Sequence, residues 1–363
     1  MSRASRYFAP DFKTAQQRFR TAVAARGGEI ASLPLAADGP GGAPLSIDIA
    51  WFGAQSPRRV LVHSSGLHGV EGYAGSAIQL QWLEEGLPAL ADDAAIVIAH
   101  MLNPYGAAWL RRVNENNVDL NRNFRAAGPK HGEPAREYAA LDALLNPRSP
   151  PRRDFFYGRA AALVLRHGMA KLRAVVIAGQ TVNPRGLFYA GRSVEPGPAA
   201  YQVHLAPRLA RAEQITAIDV HTGLGRHGED TLIVNPATAH AQANATMRGI
   251  YGARVAPADG HDSTYHADGS QQEMYRDLFP RAQVHFATQE FGTLPPLRVL
   301  AALREENRWH HYGGGTLDHP AKRRLLAVFC PPSERWREQV LRRGREVAAQ
   351  ACGLAFGPPV AGA

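Results

Sequence analysis

The segment Arg58-Arg59-Val60-Leu61-Val62-His63-Ser64 runs directly into the turn Ser65-Gly66-Leu67-His68-Gly69-Val70-Glu71-Gly72. The short apolar run is typical of a buried strand. The glycines of the turn permit backbone angles that other residues resist. An amphipathic helical pattern then extends over residues 73–85. The stretch therefore predicts a strand–loop–helix unit.

The same alternation continues along the chain. Continuous Val, Ile and Ala strands separated by helices are typical of a mostly parallel sheet that is covered on both faces. The predicted fold class is therefore α/β, with a mostly parallel, mixed central sheet and helices on both faces. The further predicted strands are 94–101, 174–178, 215–220, 231–234 and 283–288, and the further helices are 136–145, 155–170, 201–212, 237–250, 296–307 and 333–351.

One domain is predicted over residues 1–363, with a core over about 55–310 and C-terminal helices over 319–352. A chain of 363 residues with 45% hydrophobic content is long enough to bury one large core, and no linker divides it. Cys330 and Cys352 are too few for a disulfide framework or a Cys-x-x-Cys metal site. Any metal must then be held by histidine and carboxylate side chains.

Charge and hydropathy exclude several kinds of partner. The formal net charge is +9, but the basic residues are dispersed along the chain and almost all are arginine, so no nucleic-acid partner is predicted. The first residues lack the apolar stretch of a secretory signal, and no run of about 18 apolar residues exists to cross a bilayer. We therefore expect a cytoplasmic protein without a membrane partner. The oligomeric state is left open.

Three segments far apart in the sequence each supply part of a candidate hydrolytic zinc centre. They hold His68 with Glu71, then His221, then Glu290. Two imidazoles and one carboxylate hold Zn²⁺ while leaving a coordination position for water, and a further carboxylate can accept that water's proton. Each segment follows a predicted strand, and ligands gather at the carboxyl ends of strands in open α/β sheets. The chain is therefore interpreted as a hydrolase.

A family resemblance adds to this interpretation. His68-x-x-Glu71, Arg112-x-Asn114, the string Val118-Asp119-Leu120-Asn121-Arg122-Asn123-Phe124, His221 and Glu290 occur in this order. This series resembles the zinc carboxypeptidase superfamily, which includes carboxypeptidase A and, more distantly, aspartoacylase and succinylglutamate desuccinylase. In detail the chain is most similar to an uncharacterised bacterial branch of that superfamily.

The resemblance implies a single Zn²⁺ and the residues that serve it. His68, Glu71 and His221 would be the metal ligands. Glu290 would be the general base that activates water and later protonates the leaving amine. Asp119 would accept the other ring N–H of His68 and so fix its tautomer.

The resemblance also implies how substrate is held. Arg112 would polarise the scissile carbonyl, and Asn121 with Arg122 would grip a terminal carboxylate, to which a guanidinium can donate two parallel hydrogen bonds. The neighbouring Arg111 is an alternative to Arg112. Tyr265 is a candidate for the phenol that closes over substrate in carboxypeptidases, and its catalytic role is left open.

Three functions follow from these residues. The first is a zinc-dependent, carboxypeptidase-like metallopeptidase that cleaves an amide bond next to a free carboxylate. The alternative is an N-acyl amino acid amidohydrolase of the aspartoacylase or desuccinylase type, because Glu290-Phe291-Gly292-Thr293 is closer to that branch. The second alternative is a non-catalytic anion-binding protein on the same fold. Peptides and N-acyl amino acids are thus the predicted substrate classes.

Overall fold

The structure of the protein, a computed structural model, describes residues 4–125, 133–234, 241–256 and 269–357. A seven-stranded sheet lies at the centre of these residues. Its strands are β1 (Glu29–Pro34), β2 (Ser46–Gly53), β3 (Arg59–Ser65), β4 (Ala94–His100), β5 (Gln214–His227), β6 (Asp230–Ile233) and β7 (Gln283–Gly292).

The sheet is parallel at its centre and antiparallel at its edges. The strand order is β1-β2-β4-β3-β5-β7-β6. The four central strands, β4, β3, β5 and β7, run parallel to one another. The outer strands are antiparallel to their neighbours. Parallel strands are covered on both faces, and every residue of β4 is buried. The predicted mixed α/β class is confirmed.

Helices pack on both faces of the sheet, with several more beyond its carboxyl edge. Those in the described ranges are α1 (Phe12–Ala25), α2 (Gly72–Glu85), α3 (Pro104–Ala108), α4 (Glu133–Leu145), α5 (Phe156–His167), α6 (Met169–Ala178), α7 (Pro196–Arg208), α8 (Ala241–Tyr251), α9 (Gln271–Leu278), α10 (Pro296–Tyr312), α11 (Pro320–Phe329) and α12 (Glu334–Phe356).

Alternate side chains of β3 enter different cores, as the strand's period of two requires. Val60 and Val62 belong to a cluster that includes Tyr201 of α7. Leu61 belongs to the opposite cluster, which includes Val347 of α12. The parallel strands are therefore fixed from both faces, and their carboxyl ends are held in register.

A third group of helices covers the carboxyl end of β5. Helices α4, α5, α6, α10 and α11 contact one another, and α10 and α11 also contact β5. The hydroxyl of Thr222 donates a hydrogen bond of 2.7 Å to the carbonyl oxygen of Phe329, at the end of α11. This group forms the walls of the cavity described below.

Residues 174–178 are helical, so the strand predicted there was wrong. They form the second half of α6, which Gly168, at a φ of 80°, separates from α5. A short apolar run fits a buried strand or the buried side of a helix equally well by its local pattern. Packing of α6 against α4 and α5 decides between the two.

Two strands before residue 55 were not predicted. β2 pairs with β4, and β1 pairs with β2 as an edge strand that has no fully buried residue. An edge strand of this kind carries little apolar pattern, so its sequence signal is weak. That residues 1–363 form one domain stays a prediction. Over the ranges that the structure describes, no helix is both long and apolar enough to cross a membrane.

Candidate metal centre

The predicted metal ligands meet at the carboxyl edge of the parallel strands. His68 lies just after β3, and Glu71 ends the 3-10 turn that leads into α2. His221 of β5 lies opposite Glu290 of β7 in the strand register. These two residues lie within their strands rather than after them, because β5 and β7 are longer than predicted. The tertiary fold still brings all three segments together.

Three side chains that could bind a metal face one another. Nδ1 of His68 lies 3.1 Å from Nδ1 of His221 and 3.1 Å from Oε1 of Glu71. Nδ1 of His221 lies 3.2 Å from Oε2 of Glu71. Ligands that bind zinc tetrahedrally at about 2.0–2.1 Å lie about 3.3 Å from one another. The three side chains are therefore spaced as ligands of a single ion.

A carboxylate holds each imidazole through its other nitrogen. Nε2 of His68 lies 2.9 Å from Oδ1 of Asp119, and Nε2 of His221 lies 2.6 Å from Oδ2 of Asp219. Such contacts fix the tautomer and leave both Nδ1 atoms directed at the common point. The sequence reasoning proposed Asp119 but missed Asp219. Its signal was the i, i+2 spacing with His221 at the end of the predicted strand 215–220, since this spacing places both side chains on one face of an extended chain.

The Glu71 carboxylate is held by further donors. Nη1 of Arg112 donates to its Oε1 at 2.7 Å, and the backbone N–H of Thr222 donates to its Oε2 at 3.1 Å. Burial acts to raise the pKa of Glu71, but the electrostatic attraction of the adjacent His68 and Arg112 side chains, with hydrogen bonds from the two imidazoles, outweighs burial and holds the pKa well below its ordinary value. The Glu71 side chain is therefore an anion.

Glu290 has the opposite electrostatic environment. The residue is 4% exposed, and its Oε1 accepts a hydrogen bond of 2.9 Å from the backbone N–H of Leu224. Burial, followed by the negative charge of Glu71, raises the pKa of Glu290 to about 7. A carboxyl with such a pKa can both accept and release a proton near neutral pH.

Two arginines from the predicted substrate site border the same region. Nη2 of Arg112 lies 3.4 Å from Oδ2 of Asp119, which also pairs with Arg122. Both arginines line the cavity at the metal centre. Asn121 is buried next to Arg122 but is not one of the described residues that line this cavity. Tyr265 lies outside the described residues.

Arg111 points into a different part of the protein from Arg112. It is fully buried, and its guanidinium donates to Glu306 at 3.0 Å, Asn117 at 2.9 Å and Asn307 at 3.2 Å. Its hydrogen bonds therefore connect α10 to the loop that follows α3. The geometry favours Arg112 over Arg111 for contact with a substrate.

The groups that carry chemistry open onto one cavity. Its polar end is bordered by the three candidate ligands, the Glu290 carboxyl and the two guanidiniums. These residues are His68, Glu71, His221, Glu290, Arg112 and Arg122. A substrate in this cavity would reach the candidate metal ligands and a proton-transferring carboxyl at the same time.

Fold and site together define the class, an α/β protein with a candidate metal centre at the carboxyl edge of its parallel strands. The chain belongs to the family described as "Protein of unknown function (DUF2817)", whose model matches residues 8–343. A search of curated proteins finds no significant match to this chain.

Solved structures of similar overall fold include carboxypeptidase-like proteins. Bovine thrombin-activatable fibrinolysis inhibitor, in complex with tick carboxypeptidase inhibitor, is 14% identical, with 93% of this chain and 100% of that chain covered and a TM-score of 0.47. The carboxypeptidase A from Helicoverpa armigera is 14% identical, with coverages of 94% and 74% and a TM-score of 0.45. The murein-tripeptide amidase MpaA from Escherichia coli O157 is 18% identical, with coverages of 77% and 92% and a TM-score of 0.35. The chemistry proposed below rests on this chain's own residues.

Proposed function

We propose that this chain is a zinc-dependent, carboxypeptidase-like metallopeptidase, a hydrolase that cleaves an amide bond next to a free carboxylate. One observation carries the proposal. The Nδ1 atoms of His68 and His221 and the carboxylate of Glu71 lie 3.1–3.2 Å from one another, in the same cavity as the buried carboxyl of Glu290. Convergent ligands beside a proton-transferring group are the parts that metal-assisted hydrolysis requires.

The donor set fits a zinc ion. Two imidazole nitrogens and a carboxylate oxygen match hydrolytic zinc sites, which keep one position open. The carboxylates of Glu71, Asp119 and Asp219 surround the site, and the guanidiniums of Arg112 and Arg122 offset only part of their charge. When bound, Zn²⁺ would act as a Lewis acid on the scissile carbonyl and lower the pKa of water.

Each of the remaining residues would have a separate role in hydrolysis. Glu290 would take a proton from the attacking water and deliver it to the leaving amine, because its pKa is near 7. Arg112 would stabilise the negative charge that develops on the carbonyl oxygen. Asn121 and Arg122 would bind the free carboxylate, and Asp119 would keep His68 oriented.

The decisive experiment combines metal analysis with a substrate panel. The full-length protein is purified, its bound metals are measured, and dipeptides and N-acyl amino acids are tested with zinc supplied. We expect about one zinc ion per chain and hydrolysis that a chelator abolishes, with Glu290→Gln as the inactive control. Zinc content that is unchanged in His68→Ala would overturn the proposal, and so would a zinc-loaded protein that cleaves neither substrate class.

The panel also separates two enzymes that share this chemistry. Cleavage of dipeptides would identify a peptidase, and cleavage of N-acyl amino acids alone would identify an amidohydrolase. The same His68, Glu71, His221 and Glu290 would serve both reactions, since each breaks an amide bond. The choice between a peptide and an N-acyl amino acid as substrate would therefore depend on the walls of the cavity.

A further inference from the structure

Away from the charged groups, the walls of the cavity are hydrocarbon. They are formed by side chains of α4, α5, α6 and α10, beyond the carboxyl edge of the sheet. Apart from Arg173, the charged lining residues all belong to the network around Glu71 and Glu290. Representative members of the apolar wall are Leu141, Leu144, Phe156, Leu163, Leu300 and Leu303.

Core packing holds this apolar wall open. Leu141 and Leu303 belong to one buried cluster, and Leu144 and Phe156 to an adjoining one. Side chains that are packed in this way do not readily collapse into a neighbouring space. Water in such a space would find few hydrogen-bond partners, because the hydrocarbon side chains of the wall carry no polar groups. A hydrocarbon group would therefore fill the space favourably.

The apolar surface also extends outward. Met169, the first residue of α6, lines the cavity and is 43% exposed. Phe155, which precedes α5, is 89% exposed, and Leu165 near its other end is 88% exposed. Helices α5 and α6 thus carry apolar side chains both inside the cavity and on the protein surface.

We infer that the substrate carries a hydrocarbon group of several carbons, which occupies this apolar cavity while the amide bond lies at the metal centre. This inference rests on the proposed function and names the substrate class of the same site. The group is either the acyl chain of an N-acyl amino acid or an apolar side chain of a peptide. An acyl chain and an apolar side chain would both place hydrocarbon against the apolar wall.

Two substrate series distinguish these sources in the wild-type enzyme. One lengthens the acyl group of a single N-acyl amino acid from acetyl to decanoyl, and the other enlarges the side chains of a dipeptide from Gly to Leu and Phe. In one of the two series, kcat/KM should rise about three- to fourfold per added methylene until the cavity is full. A flat or falling profile in both series, with the short substrates still cleaved, would overturn the inference and leave the hydrolase proposal intact.

A binding measurement separates this inference from failure of the proposed function. Calorimetry with the n-alkanoates from butanoate to decanoate requires no turnover. Affinity should rise with chain length, and the heat-capacity change of binding should become more negative as more apolar surface is buried. Affinity that does not depend on chain length would contradict the inference, even for a protein that hydrolyses nothing.

A matched pair of variants on α5 tests the location. Ala160 lines the cavity and is 5% exposed, whereas the neighbouring Ala161 is exposed. Ala160→Leu should reduce the preference for the longest substrate over the shortest by about tenfold, since it fills space that the hydrocarbon needs. Ala161→Leu should leave that preference unchanged. Equal effects of both variants on the preference would contradict the assignment, and thermal unfolding confirms that each variant folds.

Discussion

The Nε2 atom of His221 lies 2.6 Å from Oδ2 of Asp219, two residues earlier on the same strand, and this contact directs Nδ1 of the ring toward Glu71. Asp219 is itself oriented by the hydroxyl of Ser64, which donates to its Oδ1 at 2.7 Å. These two hydrogen bonds join β3 to β5 behind the candidate metal ligands. They position His221 before any ion binds.

Asp219→Asn should therefore weaken zinc binding without removing a ligand. Loss of the partner carboxylate reduces the basicity and the orientation of the imidazole, so we expect a loss of affinity of about 10- to 100-fold. Competition with a chelating dye measures this affinity. Asp93→Asn, at an ion pair with Arg59 far from the site in the fold, is the matched control and should bind zinc as the wild type does. Unchanged affinity in Asp219→Asn would contradict the positioning role.

Glu290→Gln should retain zinc and lose turnover. The substitution keeps the size of the side chain but removes the group that accepts the proton, so we expect kcat to fall by about 10²- to 10⁴-fold. Glu213→Gln, at a side chain that is 61% exposed, is the control for the same chemical change. Steady-state kinetics and metal analysis of both variants test this prediction. Normal activity in Glu290→Gln would remove this residue from the mechanism.

Adjacent arginines should respond differently to the same substitution. Arg112→Lys should lower kcat/KM, because Arg112 lines the cavity and Lys lacks the planar fork. Arg111→Lys should chiefly lower stability, by about 1–3 kcal/mol, because lysine cannot make all the hydrogen bonds that the guanidinium donates to buried Glu306 and two amide side chains. Kinetics and urea unfolding of the two variants check this difference. A larger kinetic defect in Arg111→Lys would reverse the assignment.

Arg122→Ala should mainly affect substrates that carry a free carboxylate. If the guanidinium anchors that group, kcat/KM should fall by tenfold or more for the free acid and much less for the amidated analogue. Arg125→Ala, three residues later and 40% exposed, is the control. Equal losses for the acid and the amide would mean that Arg122 supports the structure around Asp119 and does not anchor the substrate.

Buried His100 should make folding stability depend on pH. Its ring stacks on Phe19, its Nε2 lies 2.9 Å from the hydroxyl of Ser76, and burial lowers its pKa from 6.5 to about 4. On acidification, the imidazole of His100 is protonated at a higher pH in the unfolded state than in the folded state. The stability contributed by neutral His100 is thus fully present above about pH 6.5 and is lost as the pH falls toward 4.

Because of His100, the free energy of unfolding should fall by about 1 kcal/mol between about pH 7.5 and about pH 5.5. Urea unfolding with a chelator present measures it in the wild type and in His100→Asn. The variant should start less stable and lose correspondingly less stability over this interval. An identical pH dependence in both proteins would show that His100 does not titrate as burial requires.

Local sequence was sufficient to predict the central part of the fold. The apolar runs that became β3, β4, β5 and β7 carry their own signal, because strands buried on both faces must be apolar at nearly every position. The edge strand β1 and the helix α6 lack such a signal, whereas β2, which lies between β1 and β4 and is mostly buried, was missed despite its apolar residues. β1 is half-exposed, and the apolar run in α6 fits either a strand or a helix.

The candidate site, like the fold, was predictable from the sequence only in part. The types and order of His68, Glu71, His221 and Glu290 were readable from the chain, because a hydrolytic metal centre draws on few kinds of side chain. That their segments converge follows from parallel strands whose carboxyl ends share one edge. The sequence by itself therefore determined which atoms could bind an ion and at which edge of the sheet they would lie.

Only the tertiary structure decided how those atoms are held and what surrounds them. It set Asp219 behind His221, and it turned Arg111 toward α10 while Arg112 faced the cavity. It also assembled an apolar wall from helices that are distant in sequence. Orientation and cavity shape depend on packing between segments, and no local pattern of residues encodes such long-range contacts.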